Sequence, residues 1–218
     1  MLEKAQFRPD LLLLLSLLLM ILVYPALDHG ELRRLLLAAL MFVPIILAGV
    51  RLSQIKGWVW PSVLLVASAL IAAVISTIYP YPLWFAIKWG LVTVFFALTV
   101  VGLFSFLKNA RVVTEAHLYT AISIYLLLAF QWFALYSAID AIYPGAILHS
   151  AARADRHSEL LYFSLATLST IGYGDVVPFY GETRMLAALE GVTGVLYVAV
   201  TVAILVSAFK QQNNSREP

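Results

Sequence analysis

Cysteine is absent from this chain of 218 residues, and charged residues make up only 12% of it. The first absence excludes disulfides, thiolate metal sites and cysteine nucleophiles, and leaves the compartment open. The second matters because 62% of the residues are hydrophobic. A soluble domain of this size cannot bury so much apolar surface, so lipid is the solvent for most of the chain. The net charge of +2 and the lack of a basic block give no reason to expect a nucleic-acid partner. No nucleophile–base or metal-ligand grouping is visible, which speaks against an enzyme.

The first apolar run, Leu11 to Val23, follows Lys4 and Arg8 and has the outline of a signal peptide. No small-residue cleavage site comes after it; Tyr24-Pro25 and the charged stretch from Asp28 to Arg34 follow instead, so it reads as a transmembrane helix. A hydrocarbon core about 30 Å thick needs roughly 20 apolar residues per helix. On that ruler six spans are expected, at about Asp10–Leu27, Leu35–Val50, Trp58–Ile78, Leu83–Leu107, Leu118–Ile139 and Arg184–Phe209. Pro44 inside the second breaks a backbone hydrogen bond, which a membrane helix tolerates, and marks a kink more often than a site.

The segment between the fifth and sixth spans is different. Asp140 to His157 is polar and reads as a surface loop; Ser158 is placed to cap a helix whose first turn holds Glu159, where the helix dipole favours an acid. That helix, Glu159 to Leu168, is only about 15 Å long at 1.5 Å per residue. An apolar helix reaching halfway across a bilayer, between two full spans, reads as re-entrant. Counting Lys and Arg gives the orientation. With both termini inside, Lys4, Arg8, Arg51, Lys56, Lys108, Arg111, Lys210 and Arg216 are cytoplasmic, while Arg33, Arg34, Arg153, Arg156 and Arg184 lie outside. The bias favours cytoplasmic termini and puts the re-entrant loop at the outer face.

Directly after the short helix comes Thr170-Ile171-Gly172-Tyr173-Gly174-Asp175. A dehydrated cation needs oxygens to replace its water shell, and backbone carbonyls supply them without a trapping charge. Successive carbonyls point one way only if the backbone alternates between left- and right-handed conformations. Glycine at every second position, Gly172 and Gly174, permits this at little cost. Here the sequence resembles the potassium-channel pore family, whose filter reads Thr-Val/Ile-Gly-Tyr-Gly. Thr167-Leu168-Ser169 before the motif and Asp175-Val176-Val177-Pro178 after it extend the likeness.

The resemblance implies that K+ is held along Thr170, Ile171, Gly172, Tyr173 and Gly174. The carbonyls of Thr170 to Tyr173 and the Thr170 hydroxyl would be ligands, with K+ in the filter and no other cofactor. Four copies around a fourfold axis complete the shell, so a homotetramer is expected. Ile171 and Tyr173 would wedge the strand against the pore helix, and Tyr162, Phe163, Thr167 and Asp175 would support it, with a hydrogen bond from Tyr162 to Asp175. Where some bacterial relatives carry a glutamate behind the filter, this chain has Ala166. In the last span, Gly194 falls twenty residues after Gly174, the family's spacing for an inner-helix hinge, although a membrane-helix glycine also serves close packing. Val195, Val198 and Val202 would line the cavity below the filter, and no Pro-Val-Pro kink is present.

Six spans with the pore last is the plan of voltage-gated-like channels, whose fourth span carries arginine at every third position. Each such charge contributes about 2.3 kcal/mol per 100 mV when moved across the field. Here the fourth span holds one lysine, Lys88, and no arginine, so steep voltage dependence is not expected. Lys88 and Glu190, on the sixth span, lie at similar depth. Either they form an ion pair, or Lys88 reaches outward while Glu190 hydrogen-bonds behind the pore helix, for instance to Thr167. His149 and His157, in the outer loop, are candidates for pH sensing. Only Lys210 to Pro218 follow the last span, which leaves gating to lipid, tension, pH, the filter or a separate regulatory partner.

The expected architecture is an all-α membrane protein: six transmembrane helices, a re-entrant pore helix and a filter loop, assembled as a fourfold tetramer in the plasma membrane. Residues 1–110 would form a four-helix domain resembling a voltage sensor without gating charges, and residues 111–218 the pore domain. The implied activity is passive K+ flux. A transporter of related design would carry four pore repeats with degenerate filters, and a purely modulatory subunit a damaged filter; this chain has one repeat and an intact motif.

Overall fold

The computed structural model describes residues 9–23, 43–50, 59–79, 81–109, 113–149 and 156–214. Seven helices appear among them: α1 (Pro9–Val23), α2 (43–50), α3 (Val59–Ile78), α4 (Pro82–Lys108), α5 (Glu115–Ile142), α6 (Arg156–Leu168) and α7 (Gly181–Asn214). Two three-residue strands, β1 (Ile147–His149) and β2 (Val176–Pro178), pair antiparallel, with Leu148 opposite Val177. Three helices, α4, α5 and the Gly181–Lys210 part of α7, are long and apolar enough to cross a membrane. α3 has 20 residues and α1 has 15. Parts of the first three expected spans, at 24–27, 35–42 and 58, lie outside the described residues.

Among the described elements α5 is the most widely packed, against α1, α4, α6 and α7. Its sequence explains the position, since it is apolar all round, as expected of a helix with neighbours on every side. Ile124, Leu127, Ala129, Phe133 and Tyr136 are fully buried. From α4 they meet Trp89, Val92, Phe95, Phe96, Leu103 and Leu107 in one continuous core that also takes in Leu13 and Leu17 of α1 and Leu160 and Phe163 of α6. Trp89 and Phe133 make an edge-on ring contact at 5.1 Å. Polar anchors add direction: Thr120 Oγ1 on α5 donates to Asp10 Oδ1 on α1 at 3.0 Å. At the α4–α5 turn, Phe106 and His117 stack with centroids 4.9 Å apart, and the Thr114 amide donates to His117 Nδ1 at 3.3 Å.

The stretch from Asp140 to His157 departs from the expected loop at both ends. α5 continues through Asp140 to Ile142, and α6 begins at Arg156, so Ser158 lies inside its first turn and is no cap. The reason is tertiary. The Arg156 guanidinium bonds both Asp140 carboxylate oxygens through its Nε and Nη2, and its Nη2 also donates to the Ile147 carbonyl at 2.9 Å. His157 packs against Trp89 at 5.2 Å and Phe133 at 6.3 Å, so it belongs to a helix and not to an exposed loop. Those anchors outweigh the local preference of Ser158 for a cap. β1 was also unforeseen; it ties this connection to the chain that follows the Thr170–Asp175 motif.

A fork-shaped donor that meets both carboxylate oxygens and a carbonyl cannot be replaced by a point charge. Arg156→Ala is expected to lower stability by about 1–3 kcal/mol, the cost of leaving hydrogen-bonding groups unpaired. Arg156→Lys should recover only part of this. The thermal unfolding midpoint in detergent, compared across the three proteins, measures it.

Candidate functional site

The site is built where α6 ends. Its last turn releases the chain after Leu168, and the following amides turn back onto the helix. Thr170 N–H donates to the Thr167 carbonyl at 3.0 Å. Ile171 N–H and Gly172 N–H both donate to the Ala166 carbonyl, at 2.9 and 3.2 Å. The Leu168 carbonyl accepts from Tyr125 Oη of α5 at 3.3 Å. The extended segment is therefore stitched at its start to helix carbonyls that would otherwise lack partners.

Its backbone alternates. Gly172 has φ +54° and Gly174 φ +82°, and a Cβ at either would meet nothing within 4 Å. Conformation and not space is what calls for glycine there. Thr170 shares the left-handed region at φ 60°, the one non-glycine residue to do so among those described. The glycine pattern reveals two of the three positions; nothing in a threonine signals the third. For a non-glycine residue this geometry costs roughly 1–2 kcal/mol. Residues 170, 172 and 174 thus form one left-handed series at every second position.

Of the two aromatic residues singled out on α6, Tyr162 meets this segment and Phe163 does not. Tyr162 Oη donates to Asp175 Oδ1 at 2.9 Å, the contact expected between them, and the Tyr162 ring stacks on Tyr173 at 6.2 Å with 9° between planes. Asp175 Oδ1 also accepts from the Val176 amide at 3.1 Å. Phe163 points the other way, buried and edge-on to Tyr136 at 5.1 Å. Thr167 enters through its backbone carbonyl. In the single chain Ile171 and Tyr173 are largely exposed. Beyond the motif, β2 pairs with β1, and the Phe179 amide donates to the Ala146 carbonyl at 2.9 Å, closing the far end.

α7 runs unbroken through Gly194. A Cβ there would collide with the Leu168 carbonyl and lie 3.0 Å from its carbon, so the glycine allows α7 to touch the end of α6. Gly191, one turn earlier, is looser, its added Cβ falling 3.7 Å from the Thr167 carbonyl. Val195, Val198 and Val202 lie on an uncovered face of α7, together with Val192, Val206 and Phe209.

Lys88 and Glu190 form no ion pair with each other. Lys88 Nζ sits 5.0 Å from the Phe85 ring centroid and 4.8 Å from that of Trp89. Glu190, fully buried, accepts from Tyr136 Oη at 2.8 Å and contacts Ser164 Oγ at 2.5 Å. The partner on α6 is therefore Ser164 and not Thr167, one helical turn nearer its start. Sequence reading missed Ser164, Tyr136 and Tyr125 because each has an ordinary place in an apolar helix; only the crossing of three helices gives their hydroxyls a role.

Two helices long and apolar enough to cross a membrane, separated by a half-length helix and a stitched, alternating loop, define an integral membrane protein. The comparisons agree with that class. Residues 112–211 match the family model described as ion channel. A Rhodopseudomonas palustris protein that carries a potassium-channel name is 39% identical over 59 residues, 27% of this chain and 14% of that protein. The two pore potassium channel a of Oryza sativa is 36% identical over 70 residues, 32% of this chain and 18% of its own. Human potassium voltage-gated channel subfamily KQT member 3 is 38% identical over 65 residues, 29% and 8% respectively. The chain thus spans less than a fifth of the length of each of these relatives. No solved structure matches it. Residues 112–211 are therefore similar to the ion-channel family model, and parts of that stretch to potassium channels.

Close contact at Gly194 gives a direct test. Gly194→Ala forces either α7 or the end of α6 to shift and should destabilise by about 1–3 kcal/mol, the range for overpacking. Gly191→Ala, with room for its methyl group, should have little effect. Unfolding midpoints in detergent for the two variants separate the positions.

Proposed function

We propose that this chain is one subunit of a homotetrameric, potassium-selective channel carrying passive K+ flux through the segment Thr170 to Gly174. The observation that carries the reading is the alternation at 170, 172 and 174. It is the backbone pattern that lets consecutive carbonyls face one axis, and it falls on the residues Thr-Ile-Gly-Tyr-Gly. The carbonyls of Thr170, Ile171, Gly172 and Tyr173 and the Thr170 hydroxyl act as ion ligands. Tyr162, Thr167 and Asp175 hold that segment in place, and Phe163 anchors the helix behind it to Tyr136.

One copy offers each ion only part of a coordination shell, so four surround the axis. The uncovered apolar face of α7 supports the same assembly, because Val195, Val198 and Val202 then line a shared cavity and need no cover within the subunit. Gly194 is the point about which the inner helix bends, and its contact with Leu168 couples such bending to the filter. Residues 111–218 serve as the pore domain and 1–110 as a membrane scaffold completing six spans, with both termini cytoplasmic in the plasma membrane. Along α4 the basic residues are Lys88 and, at its end, Lys108. Moving Lys88 alone across the field supplies about 2.3 kcal/mol per 100 mV, too little for steep opening.

Purified protein in planar bilayers with unequal K+ and Na+ tests the proposal. The reversal potential should follow the K+ gradient, and open probability should vary weakly between negative and positive voltages. A reversal potential that follows Na+ equally would refute selectivity, and steep opening with voltage would refute the passive scaffold.

A further inference from the structure

Three short oxygen–oxygen contacts meet behind the filter segment. Glu190 Oε2 lies 2.8 Å from Tyr136 Oη, Glu190 Oε1 lies 2.5 Å from Ser164 Oγ, and Ser164 Oγ lies 2.8 Å from the Ala129 carbonyl oxygen. They join α7, α5 and α6. Each contact needs one hydrogen, and the two hydroxyls own only two. With an ionised Glu190, Tyr136 donates to Oε2, and Ser164 must choose between Oε1 and Ala129. The contact it abandons becomes two lone-pair oxygens pressed together. A proton on Glu190 Oε1 removes the conflict. Oε1–H donates to Ser164 Oγ, Ser164 donates to the Ala129 carbonyl, and Tyr136 donates to Oε2. Every contact then has its hydrogen, and every hydroxyl donates once.

Charge points the same way. Glu190 has no exposure to solvent, and a buried carboxylate without a cation is strongly disfavoured. Among the described residues Lys88 rests on the Phe85 and Trp89 rings, and Arg156 is committed to Asp140. Among the described residues the groups that bond Glu190 directly are Tyr136 from α5 and Ser164 from α6.

We propose that Glu190 is a neutral carboxylic acid that donates to Ser164, and that this relay makes it a positioning residue for the filter. Ser164 lies two residues before Ala166, whose carbonyl holds the Ile171 and Gly172 amides, so fixing Ser164 fixes the start of the segment. The positioning half rests on the channel reading; the neutral acid does not.

Infrared spectroscopy of the purified protein at neutral pH, with Glu190→Gln as the difference partner, tests the acid without any ion flux. Wild type should show the carbonyl stretch of a protonated carboxyl that E190Q lacks. Tyr136→Phe, which removes the donor to Oε2, should shift that band to higher frequency, and this serves as the second arm if E190Q does not fold. Absence of the band, or its persistence in E190Q, overturns the neutral acid. In bilayers E190Q, whose amide can make all three contacts, should keep the wild-type reversal potential. Glu190→Leu, of similar size but without hydrogen bonds, should shift it toward that of Na+. Equal selectivity in the two variants overturns the positioning role. Wild type with the band but without K+ flux sinks the channel reading and the positioning role, and leaves the neutral acid standing.

Discussion

Backbone that leaves the helix at membrane depth has no water to bond with, and each unsatisfied amide there costs several kcal/mol. The segment after Leu168 answers this constraint by returning its first amides to the carbonyls of α6, with the Ala166 carbonyl accepting two of them. That solution works only if α6 itself cannot move. Much of the surrounding structure serves this end. Arg156 fixes the start of α6 to α5 through Asp140, Ser164 fixes its middle, and Tyr125 and Gly194 meet its final carbonyl from either side. The β1–β2 ribbon and the Tyr162–Asp175 bond hold the far end of the extended segment.

The division of labour between the long helices follows. α5 is enclosed by neighbours and is rich in residues with no exposure, whereas α7 keeps most of its apolar length uncovered. In lipid, uncovered apolar surface is no penalty, so a bare helix face is not by itself a sign of a missing partner. What distinguishes α7 is that its bare face adjoins a segment whose own residues, Ile171 and Tyr173, also stand exposed in the single chain.

Much of this was legible in the amino-acid order. The long apolar runs marked α4, α5 and α7, the shortness of the run ending at Leu168 marked α6, and the spacing of Gly172 and Gly174 marked the left-handed backbone. Each of these is a local signal. What escaped was set by contacts distant in sequence: the helical fate of Asp140 and His157, the β1 strand, the left-handed Thr170 and the partners of Glu190. A glutamate in an apolar helix announces that it must be satisfied, but its partners lie 26 and 54 residues away on other helices, and no periodicity encodes them.

The small number of residues between α4 and α5 carries a topological consequence. α4 ends at Lys108 and α5 begins at Glu115, and the six residues between can reach at most about 20 Å even when stretched. In the structure α4 lies along the α5 of its own chain, and both contribute to one core. Under the fourfold assembly proposed above, the peripheral helices stay with the pore segment they precede and do not cross over to a neighbour. Each protomer is then a finished piece before it meets another. The tetramer would form by docking four such pieces, with no interlocking of chains to be threaded or undone.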